Sequence, residues 1–210
     1  YVAEGRAIVV DLDLETFFDR VNHDMVMARL ARHVGDTRLL RLVRRFLEAG
    51  MMTNGEVVER YEGTPQGGPL SPLLANLMQD DLDKELESRG HSFCRYADDC
   101  NIYVRTQAAG ERVKESISQY IEGKLKLRVN REKSAVAHVR ERKFLGHRLL
   151  GGGRLTISPK ALKGVKTRIR TITRRNRGVA FGQVIEELRS YLTGWVAYYR
   201  HAEARSVLKR

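Results

Sequence analysis

The chain has 210 residues, 42% hydrophobic and 30% charged, which suits a domain with a real core plus an appendage. No apolar run approaches the roughly 18 residues of a membrane span, and the opening Tyr-Val-Ala-Glu-Gly-Arg is not a secretory signal. The net charge is +12, divided unevenly: residues 1–100 carry −6 and residues 101–210 carry +18. An acidic half before a basic half suggests metal or catalysis first and phosphate-backbone contact second.

The elements follow in chain order. Residues 7–12, Ala-Ile-Val-Val-Asp-Leu, read as a buried strand. Asp24 is expected to cap a helix through about Arg32, and Asp36 a second with Leu39, Leu40, Val43, Phe46 and Leu47 on one side. Met51–Thr53 and Glu56–Tyr61 flank Asn54-Gly55, a type I′ hairpin signal. Gly63–Pro72, with three prolines and three glycines, is a structured loop feeding a helix from Leu73 to Glu87. Its inner side is Leu74, Leu77, Met78 and Leu82.

Phe93–Tyr96 and Cys100–Val104 read as strands joined at Asp98-Asp99. A helix at 110–125 follows, then strands near 134–139 and 143–149, and a turn at Gly151-Gly152-Gly153 into Leu155–Ile157. Ser158 and Pro159 start a helix as cap and first residue. Its apolar stripe is Leu162, Val165, Ile169 and Ile172, and Lys160–Arg177 holds eight basic residues and no acidic one. A linker spans 176–182, and Gln183–Arg200 is amphipathic. Cys94 and Cys100 have no metal-type spacing and read as reduced core thiols of an intracellular protein.

The sharpest local feature is Phe93–Val104, where two adjacent carboxylates sit at a turn between apolar strands. Two like charges side by side are costly unless cations neutralise them. Hard divalent cations take carboxylate oxygens. Taken alone, the pair is also what an ordinary hairpin turn carries. Asp11 and Asp13, two apart at the end of the first strand, share a face and offer a third carboxylate. Two acidic clusters far apart in sequence, each at a strand end, suit a two-metal phosphodiester site.

Val9–Asp24 resembles the first palm motif of bacterial group II intron reverse transcriptases. Gly63–Asn76 resembles their second, Tyr96-Ala97-Asp98-Asp99 their third, Leu127–Ser134 their fourth and Phe144–His147 their fifth. Gly194–Arg200 is similar to the start of their maturase-specific thumb region. Five motifs in order across the chain are specific where any one is weak.

The resemblance implies an α+β fold: a reverse-transcriptase palm, an antiparallel sheet packed on helices, over 1–157, then a helical thumb and the start of the maturase region over 158–210. It implies that Asp13, Asp98 and Asp99 hold two Mg²⁺ ions, with Mn²⁺ as a substitute and the Leu14 carbonyl as an extra ligand. Asp11 would be structural. Phe18 would stand against the sugar 2′ position, and Gln66, Gly67 and Ala97 would line the nucleotide and template pocket. Tyr96 would pack near the primer end, and Lys133 would protonate the leaving pyrophosphate. Phe144, Leu145 and Gly146 would form the primer grip. Lys160, Lys163, Lys166, Arg170 and Arg174 would face the duplex backbone. Trp195, Tyr198 and Tyr199 are expected to pack helices together rather than stack on bases.

The implied partners are an RNA template, a DNA or RNA primer, dNTP and group II intron RNA, with dimerisation allowed and no membrane. The implied location is the bacterial cytoplasm, in association with ribonucleoprotein. The family also implies a fingers region before the first motif and more maturase sequence after the last, so the chain is expected to be a piece of a longer protein. Two alternatives stand beside polymerisation: an RNA-binding maturase fragment, and a related reverse transcriptase serving host defence or diversity generation.

Overall fold

The computed structural model describes residues 1–53, 56–58, 61–64 and 68–203. Backbone packing divides them into two compact units, Arg6–Ala137 and a second that joins Tyr1–Gly5 to the chain from His138 onward.

In the first unit, β1 (Ile8–Leu12) is the expected apolar strand. Helix α1 (His23–Leu30) is capped by Asn22, whose side chain accepts from the Met25 amide at 2.9 Å. The cap expected at Asp24 is therefore corrected: Asp24 lies in the first turn, where a carboxylate favours the helix dipole, and it receives Arg44 Nη1 at 2.5 Å. Helix α2 (Thr37–Glu48) starts from Asp36 as expected, but its buried stripe is narrow. Val43 and Leu47 are buried, whereas Leu39 is 46% exposed. Strands β2 (Met51–Thr53) and β3 (Glu56–Val58) pair antiparallel. Their expected turn, Asn54-Gly55, lies outside the described residues.

Helix α3 (Ser71–Ser88) starts two residues before the expected Leu73, because Pro72 needs no amide partner in a first turn. Leu74, Met78 and Leu82 are buried as expected. Strands β4 (Ser92–Tyr96) and β5 (Asp99–Val104) follow. Helix α4 (Gln107–Tyr120) starts at a Thr106 cap, ahead of the expected 110, and widens into a π turn over Ile121–Leu125. Strand β6 (Ala135–His138) completes a sheet of order β4-β5-β1-β6, in which β5 runs antiparallel to both β4 and β1.

Cross-strand partners share a face. One face carries Val10 and Leu12 opposite Ile102 and Cys100, and these join Leu74, Met78, Leu82, Ile117 and Ile121 in one core. Each such aliphatic side chain contributes about 1.5–3 kcal/mol on burial. Gly110 lets α4 lie close: a Cβ there would run into Val136 Cγ1, with Ile8 Cγ2 at 3.5 Å. The other face carries Asp11 opposite Asn101, and Tyr96 opposite Asp99.

In the second unit, β7 (His147–Leu149) and β8 (Leu155–Ile157) form a hairpin around the glycine turn. The strand expected from 143 starts only at His147, since the preceding residues form a turn. Helix α5 (Pro159–Ile172) opens on Ser158, whose Oγ accepts from the Ala161 amide at 3.3 Å. Helix α6 (Phe181–Tyr199) starts two residues before the expected Gln183. Among the described residues no helix is long and apolar enough to cross a membrane.

Candidate active site

The β1–β5 register ends at Leu12 opposite Cys100, so the next residues out are Asp13 and Asp99. Each lies one residue past the last registered pair on adjacent strands, with Asp98 in the turn before Asp99. Asp13 is stitched at its backbone: its amide donates to Ser134 Oγ at 3.0 Å, and its carbonyl accepts from the Asn130 amide at 2.8 Å. The Glu15 amide donates to the Arg128 carbonyl at 2.9 Å. These two backbone bonds flank the Leu14–Val129 bridge, so the Leu14 carbonyl is left out of that ladder.

Lys133 Nζ, on an exposed side chain, lies 3.9 Å from Asp13 Oδ1. Leu14–Thr16, Arg20 and Lys126–Lys133, which include Arg128 and Arg131, line a cleft of about 970 Å³.

The Asp98–Asp99 turn is held from behind. Ala97 adopts φ 50°, a left-handed conformation that costs a residue with a Cβ. Arg95 Nη1 donates to the Ala97 carbonyl at 3.1 Å and to Asn76 Oδ1 at 3.1 Å. Its Nε and Nη2 grip Asp83 on α3 at 2.7 and 2.5 Å. That hydrogen-bonded carboxylate raises the Arg95 pKa. Tyr96 is 64% exposed on the polar face.

Oxygen donors make up the set Asp13, Asp98 and Asp99, the chemistry a hard divalent cation takes. Nearby on the same face, Asn101 Oδ1 is buried with no hydrogen-bond partner among the described residues. Among those residues no three His, Cys, Asp or Glu side chains converge on one point. Mg²⁺ commonly binds one or two carboxylates and completes its shell with substrate phosphate and water. The residues therefore fit such an ion in donor chemistry.

Phe18 sits in the turn Phe17–Asp19, its ring edge-on to the buried Phe17 at 5.3 Å. Its carbonyl accepts from the Thr64 amide at 2.6 Å, and Val21's carbonyl from the Gly63 amide at 2.7 Å. Buried His23 donates from Nε2 to the Gly63 carbonyl at 2.7 Å. The loop leading to Gln66 is thereby tied to the Phe18 turn. Gln66 and Gly67 lie outside the described residues.

In the second unit, Phe144, Leu145 and Gly146 belong to one tight turn closed by reciprocal Phe144–His147 backbone bonds of 3.0 and 2.9 Å. On α5 the exposed Lys160, Lys163, Lys166 and Arg170 fall on one side, opposite Val165 and Ile172, which are buried. Arg174, expected in the same row, is exposed but lies past the end of the helix, in extended backbone. Of Trp195, Tyr198 and Tyr199, Tyr199 packs on Trp195 of the same helix and on His147 of β7, with centroids at 4.7 and 4.9 Å.

One cysteine expectation is corrected. Cys100 is buried, but Cys94 is exposed, because alternation along β4 turns it to the polar face. Sequence reasoning also passed over Arg95, Asp83 and His23. The only local signal for Arg95 is a charge inside an otherwise apolar strand.

The sheet, its carboxylate-bearing turn and the neighbouring helices define a polymerase-type palm. The chain belongs to the reverse transcriptase (RNA-dependent DNA polymerase) family, which matches residues 3–149. The group II intron maturase-specific domain matches residues 162–210.

Protein YkfC of Escherichia coli is 33% identical over 177 residues, 68% of this chain and 46% of that protein. The group II intron-encoded protein LtrA of Lactococcus lactis is 38% identical over 80 residues, 38% of this chain and 13% of LtrA. The chain thus spans under half of YkfC and a small part of LtrA. Telomerase of Candida tropicalis, solved with a fragment of telomeric RNA, shares the fold: TM-score 0.59 at 14% identity, over 95% of this chain and 40% of the telomerase chain.

Proposed function

We propose that this chain is the palm and thumb portion of an RNA-directed DNA polymerase of the group II intron type. It would join a dNTP to a primer 3′-hydroxyl on an RNA template. The observation that carries this reading is the emergence of Asp13 beside Asp99, just past the Leu12–Cys100 pair, with Asp98 adjoining.

Asp13, Asp98 and Asp99, with the Leu14 carbonyl, would hold two Mg²⁺ ions, Mn²⁺ serving as a substitute. When bound, such ions activate the attacking oxygen and stabilise the leaving one. The protein's own residues position and neutralise. The Phe18 ring would exclude a 2′-hydroxyl. Gln66, Gly67 and Ala97 would line the nucleotide pocket, and Tyr96 would meet the primer end. Lys133, exposed beside Asp13, would deliver a proton to pyrophosphate. Phe144–Gly146 would grip the primer, and the cationic side of α5 the duplex backbone. The functional boundary falls near residue 157, where the basic helix begins.

A second role, binding of group II intron RNA, is supported by that same exposed cationic row and by the maturase-specific match. The two roles are compatible, since binding needs no metal.

The test is primer extension on an RNA template with dNTP and Mg²⁺, beside an Asp98→Ala/Asp99→Ala variant, with folding and RNA binding measured for both. Extension by the parent alone supports catalysis here. Extension by neither, with RNA still bound, removes the polymerase reading for this chain and leaves RNA binding.

A further inference from the structure

The Phe144–His147 turn has an unusual sequence for its shape. Leu145 has φ 48° and Gly146 φ 76°, both left-handed, which with the reciprocal closing bonds makes a type I′ turn. That turn normally takes Asn-Gly or Gly-Gly at its centre. A Leu at the first position needs something outside the turn to hold it.

The structure supplies several constraints. The Leu145 carbonyl accepts two hydrogen bonds, one from the Tyr198 hydroxyl at 2.9 Å and one from His147 Nδ1 at 2.9 Å. The Gly146 carbonyl accepts from the amide of Ser158, the α5 cap, at 2.9 Å. The Tyr199 hydroxyl lies so close to Gly146 that a Cβ there would overlap it. The His147 ring packs against Tyr198 and Tyr199 with centroids at 5.6 and 4.9 Å.

Tyr198 is itself 54% exposed, so burial alone does not account for its placement. Its hydroxyl reaches a carbonyl 53 residues away. Both central carbonyls of the turn are thus occupied by groups from outside its four-residue loop or from its closing histidine.

We propose that Tyr198 and His147 are positioning residues for the primer strand: they lock the Leu145 carbonyl, and through it set the conformation of the turn that holds the primer end. This rests on the reading of Phe144–Gly146 as primer grip. Neither side chain needs to touch the reacting atoms. Helix α6, in the maturase-matching part of the chain, would then serve primer placement as well as its own packing.

The test uses Tyr198→Phe, which keeps the ring and removes one hydroxyl, with His147→Asn and His147→Gln. Asn retains an N–H donor near the place of Nδ1; Gln carries it farther out. Two probes are bound, a recessed primer on an RNA template and a blunt duplex of equal length. Affinity is read by fluorescence anisotropy, extension kinetics in parallel, and thermal unfolding alongside.

Loss of one such bond predicts that Tyr198→Phe and His147→Gln weaken recessed-primer binding about three- to tenfold. Blunt-duplex affinity, KM for dNTP and kcat at saturating primer stay at parental values, and His147→Asn stays near the parent. Equal weakening on both probes overturns the proposal, as does parental affinity in Tyr198→Phe, or a His147→Asn loss matching that of His147→Gln. Failure of the parent to extend removes the polymerase reading, while the two binding probes still judge Tyr198 and His147.

Discussion

Arg95 donates to the carbonyl of Ala97 at 3.1 Å, and Ala97 is the left-handed residue just before Asp98. The Arg95 side chain is 11% exposed and its partner Asp83 26%. Removing one member of a pair this buried leaves the other uncompensated. Arg95→Ala should therefore lose about 3 kcal/mol in urea unfolding. Replacing both, as Arg95→Met with Asp83→Leu, should restore most stability but not primer extension, because the Ala97 carbonyl stays unpaired. Parental extension by the double variant would show that the Arg95–Ala97 bond is not what holds the Asp98–Asp99 turn.

Gly63 has φ 84°, and a Cβ there would lie 2.8 Å from the Asp19 carbonyl oxygen. Gly63→Ala should destabilise by about 2 kcal/mol or more, since both backbone strain and a clash with main chain oppose it. His23→Ala removes a buried imidazole and with it the 2.7 Å bond to the Gly63 carbonyl. It should cost about 1–3 kcal/mol. Denaturant titration of both variants measures the two losses, and parental stability in either would contradict the contact it tests.

Phe18 presents a ring on a turn fixed by its own carbonyl bond to Thr64. On the proposed role of Phe18 against the sugar, Phe18→Val should lower discrimination against ribonucleotides about tenfold or more. The ratio of kcat/KM for dNTP and NTP reads this directly; an unchanged ratio would return Phe18 to a packing role.

Salt dependence should report on α5. Lys160, Lys163 and Lys166 are exposed on one side of the helix. Changing each to Gln should reduce the slope of log affinity against log salt by about 0.7–0.9 for every phosphate that is no longer neutralised. A fluorescence titration of RNA at several salt concentrations gives the slope. No change in slope would mark this side as solvated only.

The two thiols should behave differently. Burial pushes the Cys100 thiol up to about 12, from an ordinary value of 9.0. The unfolded chain's thiol ionises first, so the stability this group contributes is complete below pH 9 and is lost as pH rises toward 12. Cys100→Ala should flatten the fall of Tm over that alkaline range. In the native protein a thiol reagent should label Cys94, which is exposed, and reach Cys100 only on unfolding. Prompt labelling of both would contradict the packing of β5.

Local pattern alone locates much of this molecule. The apolar run before Asp11, the caps Asp36 and Ser158, and the carboxylate pair between two strands are properties of neighbouring residues, and periodicity or capping chemistry reveals them. Asn22 and Asp24 are both good caps by residue type, and only backbone geometry chooses Asn22.

Other relationships need the folded chain. No spacing rule says that Asp13 emerges beside Asp99, since register depends on how β1 and β5 meet. Arg95 and Asp83, His23 and Gly63, and Tyr198 and Leu145 are separated by 12, 40 and 53 residues. In sequence each of these side chains looks like an ordinary charged or polar residue. Its partner is set by the path of the chain, and the direction of one hydrogen bond has no trace in periodicity. Strands, helices and the identity of the acidic groups are legible in the residue order, because they rest on interactions within a few positions. Which backbone carbonyls are held in strained turns, and by which side chains, is decided in three dimensions, because those bonds exist only once distant segments lie against each other.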